Sequence, residues 1–303
     1  MTFSSISVSN LDTNITVDLV KYLIATQFPQ WINLPIKSFA SAGTDNAIFK
    51  LGNDKMVRLP FDLKGSNRVD KECLWLPKFA PYLPFDIPTP LANGVPDLRY
   101  LWHWSVYKWI DGETATMERA DLCQMAQDLA KFITAMQQIP STEECWLSGQ
   151  HNEFRGVPLI TLDKKVRSSI VTLQNILDAK ALTAAWDAAI QAPIWHDKPV
   201  WLHGDLQSGN LLVKNDKLCA VIDFGLMGIG DPACDLMVGW TLLNSVSRKV
   251  FRAALSVDDA TWERGRGWAL YFGLIALAYY LNTNPTLANI SRQTINEVLE
   301  DYS

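Results

Sequence analysis

The spacing of apolar residues changes partway along this chain, and the change calls for a fold in two parts. Ile36–Ala40, Ala47–Leu51 and Lys55–Leu59 read as three short strands, parted by Gly43 and by the turn Gly52-Asn53-Asp54. A helix precedes them. Leu19, Val20, Leu23 and Ile24 share one helical face, with Thr16 as N-cap and Pro29 as a stop. A second helix follows over Arg68–Phe79, with Val69, Glu72, Leu76 and Phe79 at helical spacing. Residues 81–96 are rich in proline, which fixes φ and removes a donor, so they cannot be regular helix. Tyr100–Ile110 then reads as one or two apolar strands. From Ala120 the period is helical: Leu122, Met125, Leu129, Ile133 and Met136 form a stripe that Pro140 ends. Ser168–Ile190 and Trp262–Leu281 read as further helices, and strand-like pieces return over Val200–Ile222. The expected class is α+β, with a small β-rich lobe over 1–107, a hinge over 108–113 and a larger helical lobe over 114–303. A length of 303 residues suits two cores better than one.

Composition narrows the partners. At 48% hydrophobic and 19% charged residues the chain is a folded protein. Its net charge of −5 argues against nucleic acid or an anionic membrane, both of which need a concentrated positive field. A cationic or neutral small molecule is the expected partner. Five cysteines with no Cys-x-x-Cys pair support neither a disulfide framework nor a zinc ribbon, and free thiols suit a reducing cytosol. Met1–Leu11 lacks the basic and apolar regions of an export signal. The longest apolar run, Trp268–Leu281, is interrupted by Gly273 and is shorter than the roughly 18 residues of a spanning helix. A cytoplasmic protein is expected.

The chemistry sits in Trp201-Leu-His-Gly-Asp-Leu-Gln-Ser-Gly-Asn-Leu-Leu-Val213. Asp205 precedes a carboxamide, Asn210, by five residues. A second carboxylate, Asp223, ends the apolar strand of Ala220-Val-Ile-Asp-Phe-Gly225. Phosphoryl transfer needs such a set: one carboxylate to orient and deprotonate the attacking hydroxyl, a second acid and an amide oxygen to hold magnesium. Asp205 fits the first role; Asn210 and Asp223 fit the second. Taken singly, Asp-Phe-Gly is an ordinary turn, and Asp205 and Asn210 are loop residues that bond their own backbone. Order and spacing together carry the reading.

The spacing matches the catalytic loop and metal motif of protein kinases, with His-Gly-Asp in place of His-Arg-Asp. That glycine, with Gly230-Asp-Pro-Ala-Cys-Asp-Leu236, makes the chain resemble the aminoglycoside phosphotransferase family, kinase-fold enzymes that act on small molecules. The resemblance spans about the whole chain and implies a two-lobe protein-kinase-like fold. It also implies ATP or GTP as phosphoryl donor, Mg2+, and a small-molecule hydroxyl acceptor. Pro232-Ala follows Gly225 by only seven positions, so there is no activation segment of protein-kinase type. By the same resemblance His203 packs beneath the loop and Asp235 holds the loop backbone.

On the nucleotide side, Ser41-Ala-Gly-Thr-Asp-Asn46 lies where the family has its phosphate-covering loop. Backbone amides from Gly43 to Asn46 can cap phosphate oxygens, and an ordinary hairpin turn is the alternative. The third strand offers Arg58 where kinases carry lysine, with Glu72 as its partner on the next helix. Arginine presents a planar fork where lysine presents a point charge. Arg58 is read as phosphate-binding, against a surface strand residue. Val106-Tyr-Lys-Trp-Ile-Asp-Gly112 resembles the family's adenine-binding connector, with backbone groups near Lys108 and Ile110 on the purine edge.

The acceptor is open. The family resemblance favours an aminoglycoside-type acceptor, and the alternatives are a macrolide, a small metabolite such as an amino alcohol or sugar, or a catalytically silent nucleotide-binding module. A polycation wants a carboxylate cluster near Asp205. Candidates are Glu143, Glu144, Glu153, Asp163, Glu297, Glu300 and Asp301, each also readable as a solvated face. Arg264 and Arg266 either bind an anionic group or ion-pair at the surface.

Overall fold

The computed structural model describes residues 15–39, 45–141 and 147–302. Two compact units divide it. One holds the described residues up to Pro77 together with Pro88–Ile110; the other holds Lys78–Ile87 and the described residues from Asp111 onward. Residues 78–87, expected in the first lobe, are joined to the second unit by backbone bonds: Asp86 N donates to Cys219 O, and Val221 N to Asp86 O.

In the first unit α1 (Val17–Gln27) is capped by Thr16, whose hydroxyl accepts from Leu19 N at 3.3 Å. Four strands follow the α1 segment and a fifth completes one antiparallel sheet: β1 (Ile36–Phe39), β2 (Asn46–Leu51), β3 (Lys55–Pro60), β4 (Pro90–Gly94) and β5 (Trp104–Lys108), in the order β1-β2-β3-β5-β4. Side chains alternate across a strand. Val57 and Leu59 of β3 therefore join Phe49, Leu51, Val106 and Trp104 in one core with Val20, Leu23 and Ile24 of α1. Each such side chain contributes about 1.5–3 kcal/mol on full burial. Arg58, between Val57 and Leu59, points to the other face. Helix α2 (Leu63–Phe79) carries Glu72 and starts five residues earlier than its apolar spacing announces.

The second unit is mostly helical. It contains β6 (Glu113–Thr114), α3 (Leu122–Gln138), α4 (Asp163–Leu173) and α5 (Ala179–Gln191). Then come β7 (Val200–Leu202), β8 (Leu211–Lys214), β9 (Lys217–Val221) and β10 (Gly228–Gly230). Helices α6 (Val238–Thr241), α7 (Ser245–Leu255), α8 (Asp259–Tyr280) and α9 (Pro285–Glu300) complete it. Ser168–Ile190 is not one helix. Asp178 caps a new one, accepting from Lys180 N and Ala181 N, and so separates α4 from α5. Helix α8 packs against α9, α4 and α5. None of the described helices is long and apolar enough to cross a membrane.

Two small sheets frame the loops that matter. β10 pairs with β7, and β8 lies between β6 and β9. Asn215 and Asp216 close the β8–β9 hairpin at φ 53° and 61°. Asn and Asp tolerate that left-handed conformation best among non-glycine residues. The hairpin sets Asn210, just before β8, beside Ile222, just after β9: Ile222 N donates to Asn210 O at 2.9 Å.

Candidate active site

Asp205 lies on the loop between β7 and the short 3-10 turn Ser208–Asn210. Asn210 is folded back onto it, its Nδ2 donating to Asp205 O at 2.8 Å and to Asp205 Oδ2 at 2.9 Å. The remaining oxygen, Oδ1, lies 3.7 Å from Arg155 Nη2, close enough for charge attraction and too far for a hydrogen bond. That oxygen is the one left open to a further donor. Burial holds the Asp205 carboxyl above the ordinary carboxylate range; Arg155 pulls it back down and the Asp223 carboxylate pushes it up again. Asp205 and Asp223 are thus close enough to repel.

The loop is fixed from beneath. Asp235 accepts from the amides of His203 at 2.7 Å and Gly204 at 2.8 Å. His203 is fully buried, and burial holds its pKa below the usual value, so it is neutral. Its contacts set the tautomer: Nε2–H donates to Ile222 O at 3.0 Å, and Nδ1 accepts from Asp205 N at 3.2 Å. One imidazole therefore ties the Asp205 loop to the residue before Asp223. Gly204 sits at φ 80°, and a Cβ there would come within 2.3 Å of Leu226 O. No other residue fits.

Asp223 occupies left-handed space at φ 61°. A non-glycine residue held there costs of order 1 kcal/mol or more and persists where surrounding structure fixes it, a common condition at functional sites. With its Nδ2 spent on Asp205, Asn210 has its Oδ1 left as an oxygen donor. Among the described residues no three His, Cys, Asp or Glu cluster as a metal site. One carboxylate and one amide oxygen nevertheless fit magnesium, which takes few protein ligands and binds largely through phosphates and water. The Asp205–Asp223 repulsion is also one that a cation relieves.

In the first unit Arg58 and Glu72 meet as a buried pair, Nη1 to Oε2 at 2.7 Å. Arg58 is not a surface residue. Tyr107 donates its hydroxyl to the same Oε2 at 2.8 Å, and burial holds that phenol protonated. Asn46 opens β2 with its Oδ1 buried and without a hydrogen-bond partner. Gly43 lies outside the described residues. In the connector, the amides of Lys108 and Trp109 are already spent on Thr89 O and Asp54 O, each at 2.8–2.9 Å. Ile110 follows them without a strand partner.

Arg155 escaped the sequence reading. It stands on the segment 148–157, which is pinned to β10 by Ser148 N donating to Ile229 O and by Asp231 N donating to Gly156 O. That approach needs glycine at 230, where a Cβ would lie 2.5 Å from Gly156 O. A trace of the signal was present: glycine replaces arginine in His-Gly-Asp, and the structure returns an arginine to the aspartate from a distant segment. Arg264 and Arg266 bind no free anion site. Arg264 is buried against Asp231 at 2.7 Å, and Arg266 pairs with Glu263 and Asp301. Glu143 and Glu144 lie outside the described residues.

Comparison with known proteins gives the fold and the family. No curated protein sequence matches the chain. Among solved structures it is similar to the GDP and kanamycin complex of APH(2")-IIia, with a TM-score of 0.70 and 19% identity over 94% of this chain and 99% of that one. It is similar to the streptomycin-ATP-APH(2")-IIa ternary complex (TM-score 0.61, 16% identity, 95% and 97% covered). It is likewise similar to the macrolide 2'-phosphotransferase MphH from Brachybacterium faecium (TM-score 0.61, 18% identity, 92% and 97% covered). These likenesses establish the kinase-like fold, an antiparallel sheet followed by a helical part. A family model described as "Phosphotransferase enzyme family" matches residues 38–268, most of the chain, and the protein therefore belongs to that phosphotransferase family.

Proposed function

We propose that this protein is a small-molecule kinase that moves the γ-phosphoryl group of ATP or GTP to a hydroxyl of its acceptor. The observation that carries the reading is the placement of Asp205, Asn210 and Asp223: one carboxylate with an uncommitted oxygen, one amide oxygen and a second carboxylate close by. Solved neighbours complexed with GDP and with ATP support a nucleoside triphosphate as donor. Arg58, paired with Glu72, supplies phosphate affinity, and backbone around Gly43, Asn46, Lys108 and Ile110 serves the rest of the nucleotide. The four described cysteines are free thiols, which supports a cytoplasmic setting.

In the reaction the acceptor hydroxyl donates to Asp205 Oδ1. As its oxygen bonds to the γ-phosphorus, the bond from that phosphorus to the β,γ-bridging oxygen breaks, the diphosphate leaves and Asp205 takes the proton. Asn210 fixes the carboxylate so that the reacting oxygen does not rotate away, and such positioning is most of what phosphoryl transfer asks of a protein. Magnesium, held by Asn210 Oδ1 and Asp223, would neutralise charge on the phosphates. The test is magnesium-dependent nucleoside diphosphate release against aminoglycosides, macrolides and hydroxylated metabolites, with Asp205→Ala as the blank. Release that requires one acceptor and vanishes in the variant is the expected result. Equal release by the variant would end the assignment.

A further inference from the structure

The second unit holds a pocket of about 490 Å3 that is joined to Asp205 through Arg155, and its charge bears on what the acceptor is. Arg155 and Lys165 line it together with Ser169, Tyr271 and Tyr280, and Glu153 is the one acid among the lining residues. Arg155 belongs both to this pocket and to the catalytic aspartate, 3.7 Å away. It is 8% exposed, and its Nε and Nη1 are buried without a hydrogen-bond partner. Buried donors left unpaired are costly, and a guanidinium fork matches the two oxygens of an acid. The Arg155 guanidinium and the Lys165 ammonium each lie 5.6 Å from the centre of the Tyr271 ring, and Lys165 Nζ also donates to the Tyr271 hydroxyl at 3.4 Å, so one aromatic residue links the two cations. The backbone supports the arrangement. Glu153 and Phe154 are consecutive left-handed residues at φ 55° and 63°, and Asn152 Nδ2 holds the turn by donating to Arg155 O.

A polycation finds little here. Asp163 is spent on Arg167 and Trp186, each at 2.9 Å. Glu297 is spent on Arg248 at 2.9 Å, and Asp301 takes Trp240 at 3.3 Å. Asp163, Glu297 and Asp301 are committed within the fold, while the pocket that shares Arg155 with Asp205 carries two cations against one acid, Glu153.

We infer that this pocket receives the acceptor, and that the acceptor carries an acidic group, carboxylate or phosphate, bound by Arg155 and Lys165 while its hydroxyl faces Asp205. The inference rests on the kinase reading above. It is tested with four probes that share one hydroxylated six-carbon chain and differ in charge: gluconate, glucitol 6-phosphate, glucitol and N-methylglucamine. Calorimetric affinities are measured on the full chain with magnesium and a saturating non-hydrolysable ATP analogue. At least one acidic probe should bind about tenfold or more tighter than glucitol and N-methylglucamine, the size of a charge-assisted hydrogen bond. Which acid binds tighter names the group.

That preference should collapse in Arg155→Met and in Lys165→Met; the second variant changes an exposed side chain and keeps the test open should the first fail to fold. Glucitol or N-methylglucamine binding as well as the acids would overturn the inference. So would absence of binding by all four probes, or an acid preference unchanged in Lys165→Met. Binding of the ATP analogue, measured beforehand on the same sample, reports the kinase reading separately. Its loss removes both readings, whereas its presence without charge preference removes only this one.

Discussion

Asp205 splits its two oxygens between Asn210 and the space facing Arg155, and that division sets how its activity should depend on pH. A base must be deprotonated, so turnover falls as pH drops through the Asp205 pKa. Burial and Asp223 lift that pKa above the ordinary carboxylate value of about 3.9, and Arg155 opposes them. The acid limb of kcat/KM should therefore lie above the usual carboxylate range and move to still higher pH in Arg155→Met. A limb that stays in place in that variant would show that Arg155 does not act on Asp205. The neighbouring glycine carries a stability prediction. Gly204→Ala puts a Cβ 2.3 Å from Leu226 O at φ 80°, a clash and a strained conformation together. It should cost about 2 kcal/mol or more in chemical denaturation, and a variant as stable as the parent would contradict this geometry.

Among the elements, one acid holds the Asp205 loop to the helical part of its unit. Asp235 lies in the turn Pro232–Met237, and its two oxygens take two buried amides of the segment after β7. Asp235→Ala leaves both amides unpaired, with an expected cost of about 2–4 kcal/mol and loss of turnover. Asp235→Asn keeps one acceptor and should fall between it and the parent. The break between α4 and α5 predicts a smaller effect. Asp178→Ala removes the cap of α5 and should cost about 1 kcal/mol while leaving turnover unchanged. Strand β2 and helices α1 and α3 were legible to within a few residues because each buries one face, and burial writes its period into sequence; β1 and β3 were legible from the turn residues that bound them, and α8, buried most of the way round, from its long apolar run. The α4–α5 break was not, because Asp178 reads as a polar residue on an exposed face until its amide partners are seen. Helices α7 and α9 went unread for lack of a long apolar stripe.

For the molecule as a whole, legibility followed sequence distance. Asp205, Asn210 and Asp223 lie within nineteen residues on one loop–hairpin–loop unit, so their spacing alone shows that they meet. Arg58 and Glu72 face each other across a strand and the next helix, and the period of each predicts it. Arg155 reaches Asp205 across fifty residues, through a segment with no periodicity and a contact that depends on glycine at 204 and 230. No local pattern encodes such a contact. That the Asp205–Asn210–Asp223 set performs phosphoryl transfer can be tested before any acceptor is known. Water serves as a slow acceptor in kinases, so magnesium-dependent hydrolysis of ATP or GTP by the purified chain reports the set directly. Hydrolysis should require magnesium, fall about a hundredfold or more in Asp205→Asn, and lose its magnesium response in Asp223→Asn. Hydrolysis that persists unchanged in both variants would contradict the account.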